Sequence, residues 1–374
     1  MDQKENPFFS IVLPTKNRSE ILGTAIESIL SQNYTDFELV ISDNDDTEDT
    51  YHVIQNYSDK RIKYFKTGNL SMSENWNYAY KRSIGQYILL VEDKYVLKPF
   101  ALEILYNYIQ KYSPEIISWG LNHVSLTSPT WKIISGTEYP IEYTSSQILN
   151  WLLRMKFFEY WKFFHILPRG SNSCIKRSLY TKITDKTSMI SMENAPDFTQ
   201  GYQILFNCDK ILNLNLTLTG IFTKNKKYSI GAQHDTGDLA TAKLGMNSKS
   251  TSITTIEYQP LKIVNSETIV IEDFIRTSKT YGLNYTFDNF NQDNYYTTIY
   301  ANTIYRQTES KGRNKQYFKY LREEIKHTLS SSKIHYKKRI YLKFYLLDIG
   351  YYPLLIIIPT FRRYQILKNR KAWK

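Results

Sequence analysis

Three apolar runs near the start of the chain each end in a polar cluster. Phe9-Ser10-Ile11-Val12-Leu13 leads into Pro14-Thr15-Lys16-Asn17-Arg18. Phe37-Glu38-Leu39-Val40-Ile41 leads into Ser42-Asp43-Asn44-Asp45-Asp46, and Tyr87-Ile88-Leu89-Leu90-Val91 into Glu92-Asp93-Lys94. Short apolar runs with helical stretches between them predict buried parallel strands. In an open parallel sheet a ligand binds outside the carboxyl ends of the strands. Polar and acidic residues gathered at three such ends therefore predict one shared site.

Between the first two runs, Ser19 is placed to cap a helix with Ile21, Leu22, Ala25, Ile26, Ile29 and Leu30 on one face. A helix near Thr47–Tyr57 and a strand at Arg61–Phe65 follow. Ser73 opens a helical stretch with Asn75, Trp76, Ala79 and Tyr80, Pro99 starts a helix running to about Lys111, and Glu115–Trp119 reads as a strand. The alternation predicts an α/β domain, a mostly parallel sheet with helices on both faces. Beyond residue 140 the pattern loosens. Gln147–Phe164 reads as one aromatic-rich helix, Gly170–Asn172 as a turn before a helix around Lys176–Lys182, Pro196–Phe206 as a helix and Ile211–Leu218 as a strand. Ser229–Ser252 is polar and rich in Ser and Gly, a loop or linker. The remainder, from about 255 to 374, reads as mainly helical.

A chain of 374 residues is long enough for two domains. Cys174 and Cys208 form no metal or redox spacing, which predicts core positions and a reducing compartment. The first seven residues contain no apolar signal segment, and no stretch approaches the roughly 20 apolar residues of a membrane-spanning helix. The net charge of +12 is concentrated at one end: Lys333–Lys374 holds eleven Lys and Arg against Asp348 alone, a local net of +10. A near-neutral body argues against nucleic-acid binding.

Phe9–Arg18, Phe37–Asp46, Gly85–Pro99 and Ala195–Gly201, in that order, resemble the N-terminal domain of family 2 inverting glycosyltransferases, which have the GT-A fold. The resemblance covers about residues 7–235. It implies a nucleotide-sugar-binding and catalytic domain over 1–235, followed by a mainly helical region over 236–374. It also implies that Pro14 and Thr15 hold the base and ribose, that Asp43 bonds the uracil, and that Asn17 and Arg18 approach the diphosphate. Asn75, in Ser73-Glu74-Asn75-Trp76, would line the nucleotide. Asp197, in Ala195-Pro196-Asp197, matches the catalytic base, which takes the acceptor hydroxyl's proton during a single displacement. Ser171 and Asn172 belong to a loop approaching the donor sugar and acceptor, and Trp119 is a candidate for stacking on a sugar ring. Taken singly, Asp43 and Asp45 also read as turn formers, Thr15 and Asp197 as caps, and Trp119 as core.

One motif departs from the family. Glu92 and Asp93 fall on its first two acidic places, and Lys94 stands where the metal-binding aspartate belongs. Three readings remain open: Mg²⁺ or Mn²⁺ bound through Asp93, with His234 as a further ligand; the Lys94 ammonium in the metal's role of neutralising the diphosphate; or a site that has lost activity.

The expected activity is therefore inverting transfer of a hexose or N-acetylhexosamine from a nucleotide-sugar, UDP-linked by resemblance, to a hydroxyl of a surface polysaccharide, lipopolysaccharide or lipid-linked glycan. A degenerate sugar-nucleotide-binding scaffold and a nucleotidyltransferase are the alternatives. The latter would want a glycine-rich basic loop, which Pro14–Arg18 is not. Lys337-Lys338-Arg339 and Arg362-Arg363, flanking the interrupted apolar stretch Phe344–Ile358, suggest contact with an anionic membrane surface. The expected location is cytoplasmic, peripheral on the inner face of the membrane.

Overall fold

The computed structural model describes residues 6–124, 139–222, 256–309 and 314–348. In chain order the first elements are β1 (Phe9–Thr15), α1 (Ser19–Leu30), β2 (Phe37–Asp43), α2 (Asp49–Ile54), β3 (Ile62–Lys66), α3 (Met72–Arg82), β4 (Tyr87–Leu90), β5 (Tyr95–Leu97), α4 (Ala101–Tyr112) and β6 (Ile116–His123). Then come β7 (Ile141–Thr144), α5 (Ser145–Arg154), α6 (Phe157–Ile166), a 3₁₀ turn at Gly170–Asn172, β8 (Ser173–Lys176), α7 (Arg177–Thr187), α8 (Pro196–Asn207) and β9 (Lys210–Ile221).

Among the described residues the strands form one sheet in the order β3-β2-β1-β4-β8-β6-β9-β5, with β7 also paired to β9. The first four are mutually parallel, as the apolar runs predict. β8 is inserted antiparallel between β4 and β6, and β5 and β7 lie antiparallel on β9. The sheet is thus mixed but mostly parallel, an α/β architecture of the expected kind.

Residues in β1, β2 and β4 are buried along their whole length, which is why they carry no polar alternation. α1 turns Leu22, Ala25, Ile26 and Ile29 inward, although Arg18 rather than Ser19 occupies its N-cap. α3 starts one residue before the sequence suggests because Ser71 and Glu74 form a capping box: Glu74 N–H donates to Ser71 Oγ and Ser71 N–H to Glu74 Oε2. The start of β4 is fixed by Gly85, whose N–H donates to Ser10 Oγ at 2.7 Å while Ser10 Oγ donates to the buried Glu38 at 2.6 Å. A Cβ at residue 85 would lie 2.6 Å from Ser10 N, so only glycine lets the chain pass.

The expected continuous helix over 147–164 is instead two helices. Met155, between them, adopts a left-handed backbone (φ 50°), which ends α5 and redirects the chain into α6. Cys174 and Cys208 are free and buried; burial pushes both thiols up, that of Cys208 to about 12.

The chain divides into two compact units, Met1–Ile148 with His165–Lys224, and Leu149–Phe164 with Asn225–Lys374. The first holds the sheet. The second is helical, with α9 (Ser266–Thr280), α10 (Gln292–Glu309), α11 (Lys315–Ser331) and α12 (Lys337–Asp348). Inside it Arg306 makes a bidentate pair with the buried Glu267, to which Asn302 also donates. None of the described helices is long and apolar enough to cross a membrane.

Candidate active site

The carboxyl ends of β1, β2 and β4 converge on a polar network, and Thr15 is its junction. Its hydroxyl donates to Asp93 Oδ2 at 2.9 Å, while its carbonyl accepts Asn44 N–H at 3.0 Å and Asn75 Nδ2 at 3.4 Å. Ser42 Oγ donates to Asn75 Oδ1, so α3 is stitched to the ends of both β1 and β2. Pro14 lies within buried β1, opposite Ser42 in the parallel register.

Asp43 ends β2 with no exposed surface. Its Oδ1 accepts the N–H of Asp45, and its Oδ2 accepts the Tyr64 hydroxyl at 2.6 Å and lies 3.3 Å from Lys66 Nζ. Burial and the Asp43 carboxylate both push the Tyr64 phenol up, so it remains a donor at neutral pH. The turn-forming role expected of a lone acid is present, since Asp43 tethers its own loop two residues on. The exposed Asn17 is held left-handed (φ 53°) and ties the loops after β1 and β2 together: its Nδ2 donates to Asp46 and its Oδ1 accepts Asp46 N–H.

Asp93 is almost wholly buried. Its Oδ1 pairs with Arg18 Nη1 at 2.8 Å and its Oδ2 takes the Thr15 hydroxyl. Burial pushes its pKa up, against the opposing pull of Arg18, Thr15 and Lys94. Beside it, Lys94 Nζ pairs with Glu92 Oε2 at 2.7 Å, and Glu92 Oε1 accepts the Ser171 hydroxyl at 3.3 Å. Lys94 and Glu92 are both largely but not wholly buried.

Through Ser171 this cluster joins the loop 169–172. Asn172 is fully buried and spends its side chain on backbone, accepting Arg169 N–H and donating to the carbonyls of Trp119 and Leu167. It holds the loop rather than lining an opening. Trp119 is likewise inaccessible, with its indole N–H on Thr219 Oγ1 at 3.0 Å and the Thr219 hydroxyl on Ser171 C=O at 2.6 Å. Its ring is core, the plainer of the two readings open for it, and presents no face to a sugar.

Asp197 stands in the first turn of α8, behind Pro196. The entry to that helix is fixed by Asn77, which accepts the N–H groups of Ile190 and Ser191, and by Thr199, which accepts Met192 N–H. Asp197 Oδ2 accepts Arg169 Nη1 at 2.5 Å, and a Cβ on Gly170 (φ 44°) would touch Asp197 Cβ at 3.2 Å and Trp76. Burial pushes the phenol of Tyr95 well above its ordinary range, with smaller contributions from Glu92 and Asp197 opposed by Arg169. Glu92 and Asp197 therefore flank one short loop. Arg169 is a candidate site residue that the sequence does not single out; its local signal is its place directly before Gly170-Ser171-Asn172.

The donor set does not fit a divalent ion as it stands. Both oxygens of Asp93 are taken by Arg18 and Thr15, those of Glu92 by Lys94 and Ser171, and no group of three or more His, Cys, Asp or Glu suited to a metal occurs among the described residues. His234 lies outside the described residues.

Over the N-terminal part of the chain the sequence is similar to known proteins. Residues 10–172 match the family model for glycosyl transferase family 2. A GalNAc(5)-diNAcBac-PP-undecaprenol β-1,3-glucosyltransferase of Campylobacter jejuni is 35% identical over 103 residues, 26% of this chain and 33% of that protein. The poly(ribitol-phosphate) β-N-acetylglucosaminyltransferase TarP of Staphylococcus aureus is 34% identical over 113 residues, 29% of this chain and 35% of that protein. The matched segment thus spans about a third of the length of these relatives. Among solved structures, residues 1–349 of S. aureus TarS in complex with UDP-GlcNAc align over 91% of this chain and 92% of that one, with a TM-score of 0.48 and 13% identity.

Proposed function

We propose that this chain, which over residues 10–172 is similar to family 2 glycosyltransferases, is an inverting glycosyltransferase. It would take its sugar from a UDP-sugar and pass it to a hydroxyl of a glycan or lipid-linked glycan. The activities of the similar proteins support the reaction class: one is a β-glucosyltransferase, the other a β-N-acetylglucosaminyltransferase. The observation that carries the reading is the single loop 169–172, bonded through Ser171 to Glu92 and through Arg169 to Asp197. A sugar lying over that loop would have the diphosphate end on one side and a carboxylate on the other, the arrangement that in-line displacement needs.

In the proposed reaction, the base and ribose lie against the strand ends marked by Thr15, Asp43, Asn44 and Asn75. The acceptor oxygen attacks the anomeric carbon as the bond from that carbon to the diphosphate oxygen breaks. The acceptor's proton passes to Asp197, and the bonding pair leaves with the diphosphate. Arg18 and Lys94 supply the positive charge facing the leaving group, Lys94 exchanging Glu92 for a phosphate oxygen when the donor binds. This reading prefers the ammonium to a metal because every carboxylate oxygen of Glu92 and Asp93 already has a protein partner.

The test is Asp197→Asn, assayed for transfer and for UDP binding. Turnover should fall by about 10²–10⁴-fold with UDP affinity unchanged. Wild-type turnover in the variant would remove Asp197 as base, and intact UDP binding without any transfer by the wild-type protein would favour a nucleotide-binding scaffold.

A further inference from the structure

Helix α12 has one face already used and one left open. Ile340, Phe344 and Leu347 are buried, Phe344 stacks on Tyr300 with ring centres 4.0 Å apart, and the Tyr300 hydroxyl bonds Asp348 at 2.8 Å. Lys343 pairs with Asp293 at 2.8 Å, fixing the helix on α10 within the helical unit. Across from these, Lys338, Leu342 and Tyr345 follow one another at i, i+4 and i+7 along a single face. Leu342 is 56% exposed and Tyr345 60%, with the exposed Tyr336 just before the helix.

Single exposed apolar residues are ordinary. What distinguishes this face is its setting. Lys333, Lys338 and Arg339 border it, Arg339 largely exposed despite a 3.5 Å contact with Asp293, and the nearest acid on α12, Asp348, is engaged by Tyr300. The sequence from 349 to 374 adds six Lys and Arg, no Asp or Glu, and the apolar run Tyr351–Ile358.

We propose that this face of α12 docks on an anionic lipid surface. Leu342 and Tyr345 enter the boundary between headgroups and acyl chains, where an aromatic ring with a polar tip is well suited, and the flanking cations meet lipid phosphates. A soluble polyanion would answer the charge but would leave both apolar side chains in water. The docking is independent of sugar transfer, so its failure leaves the proposed activity untouched.

The experiment is co-sedimentation of the full chain with vesicles of phosphatidylglycerol mixed with phosphatidylcholine, against pure phosphatidylcholine. The expected result is strong binding to the anionic vesicles alone, reduced about tenfold by Leu342→Asp/Tyr345→Asp and similarly by Lys333→Glu/Lys338→Glu, with unchanged circular dichroism. Equal binding to both vesicle types, no binding to either, or full binding by the Leu342→Asp/Tyr345→Asp variant would overturn it. Binding that heparin abolishes but that this variant retains would assign the surface to a polyanion instead.

Discussion

Arg169 Nη1 donates to Asp197 Oδ2 at 2.5 Å, across 28 residues of sequence. The guanidinium also lies over the Phe198 ring at 4.3 Å, and the backbone of Gly170 backs directly onto the Asp197 side chain. The orientation of this carboxylate is therefore set by the loop before β8 as much as by α8, the helix that carries it.

A positioning role for Arg169 predicts a specific kinetic pattern. Arg169→Ala should lower kcat about 10–100-fold while leaving the KM for donor within about threefold, because small displacements of a reacting group are costly and ground-state binding is untouched. Arg169→Lys, which keeps the charge but not the fork geometry, should recover part of the loss. A change confined to thermal stability, with kcat at the wild-type level, would show the pair to be structural only.

Asp43 is buried at the strand end where the nucleotide base is proposed to sit, yet it also ties its loop to Tyr64 and Lys66. The two roles separate in Asp43→Asn. Loss of a charged hydrogen bond to the base should weaken UDP binding about 10–100-fold by calorimetry, corresponding to roughly 1.5–3 kcal/mol. If melting temperature falls while the UDP Kd stays at the wild-type value, the aspartate serves the loop and not the nucleotide.

The engagement of Glu92 by Lys94 at 2.7 Å bears on metal dependence. UDP should bind equally in EDTA and in excess Mn²⁺, and Lys94→Ala should weaken it about tenfold in both. Binding that requires Mn²⁺, with Asp93→Asn abolishing the requirement, would restore the metal reading and demand that Arg18 and Thr15 release Asp93.

Much of this was legible in the sequence because the signals are local. Five-residue apolar runs at β1, β2 and β4, the 3–4 spacing of Leu22, Ala25, Ile26 and Ile29, and Pro196 at a helix start each report on their own neighbourhood. What escaped is non-local or too short to carry a period. β5, β7 and β8 have only three or four residues each, and β8 owes its central place to antiparallel pairing with β4 and β6. The break at Met155 rests on one left-handed residue within an otherwise helical pattern. Arg169 becomes a site residue only when the loop is folded against α8, and Trp119, an attractive stacking residue in sequence, is sealed by the contacts of β6 with β9 and by Thr219.

Asp93 provides a prediction of opposite sign to that usual for a salt-bridged acid. Burial is the largest influence on it and raises its pKa above the ordinary 3.8; Arg18, Thr15 and Lys94 only partly offset this. The folded protein then binds a proton in a window just above 3.8 where the unfolded chain does not. Stability from this group is full below the unfolded pKa and is lost as pH rises through the folded one. Relative to Asp93→Asn, which cannot titrate, the wild-type protein should therefore gain stability as pH is lowered from 7 toward 4. Urea unfolding of both proteins at several pH values measures this gap directly. A gap that instead shrinks on acidification would mean that the Arg18 contact, not burial, dominates the carboxyl, and that Asp93 enters the folded state as a stabilising charge.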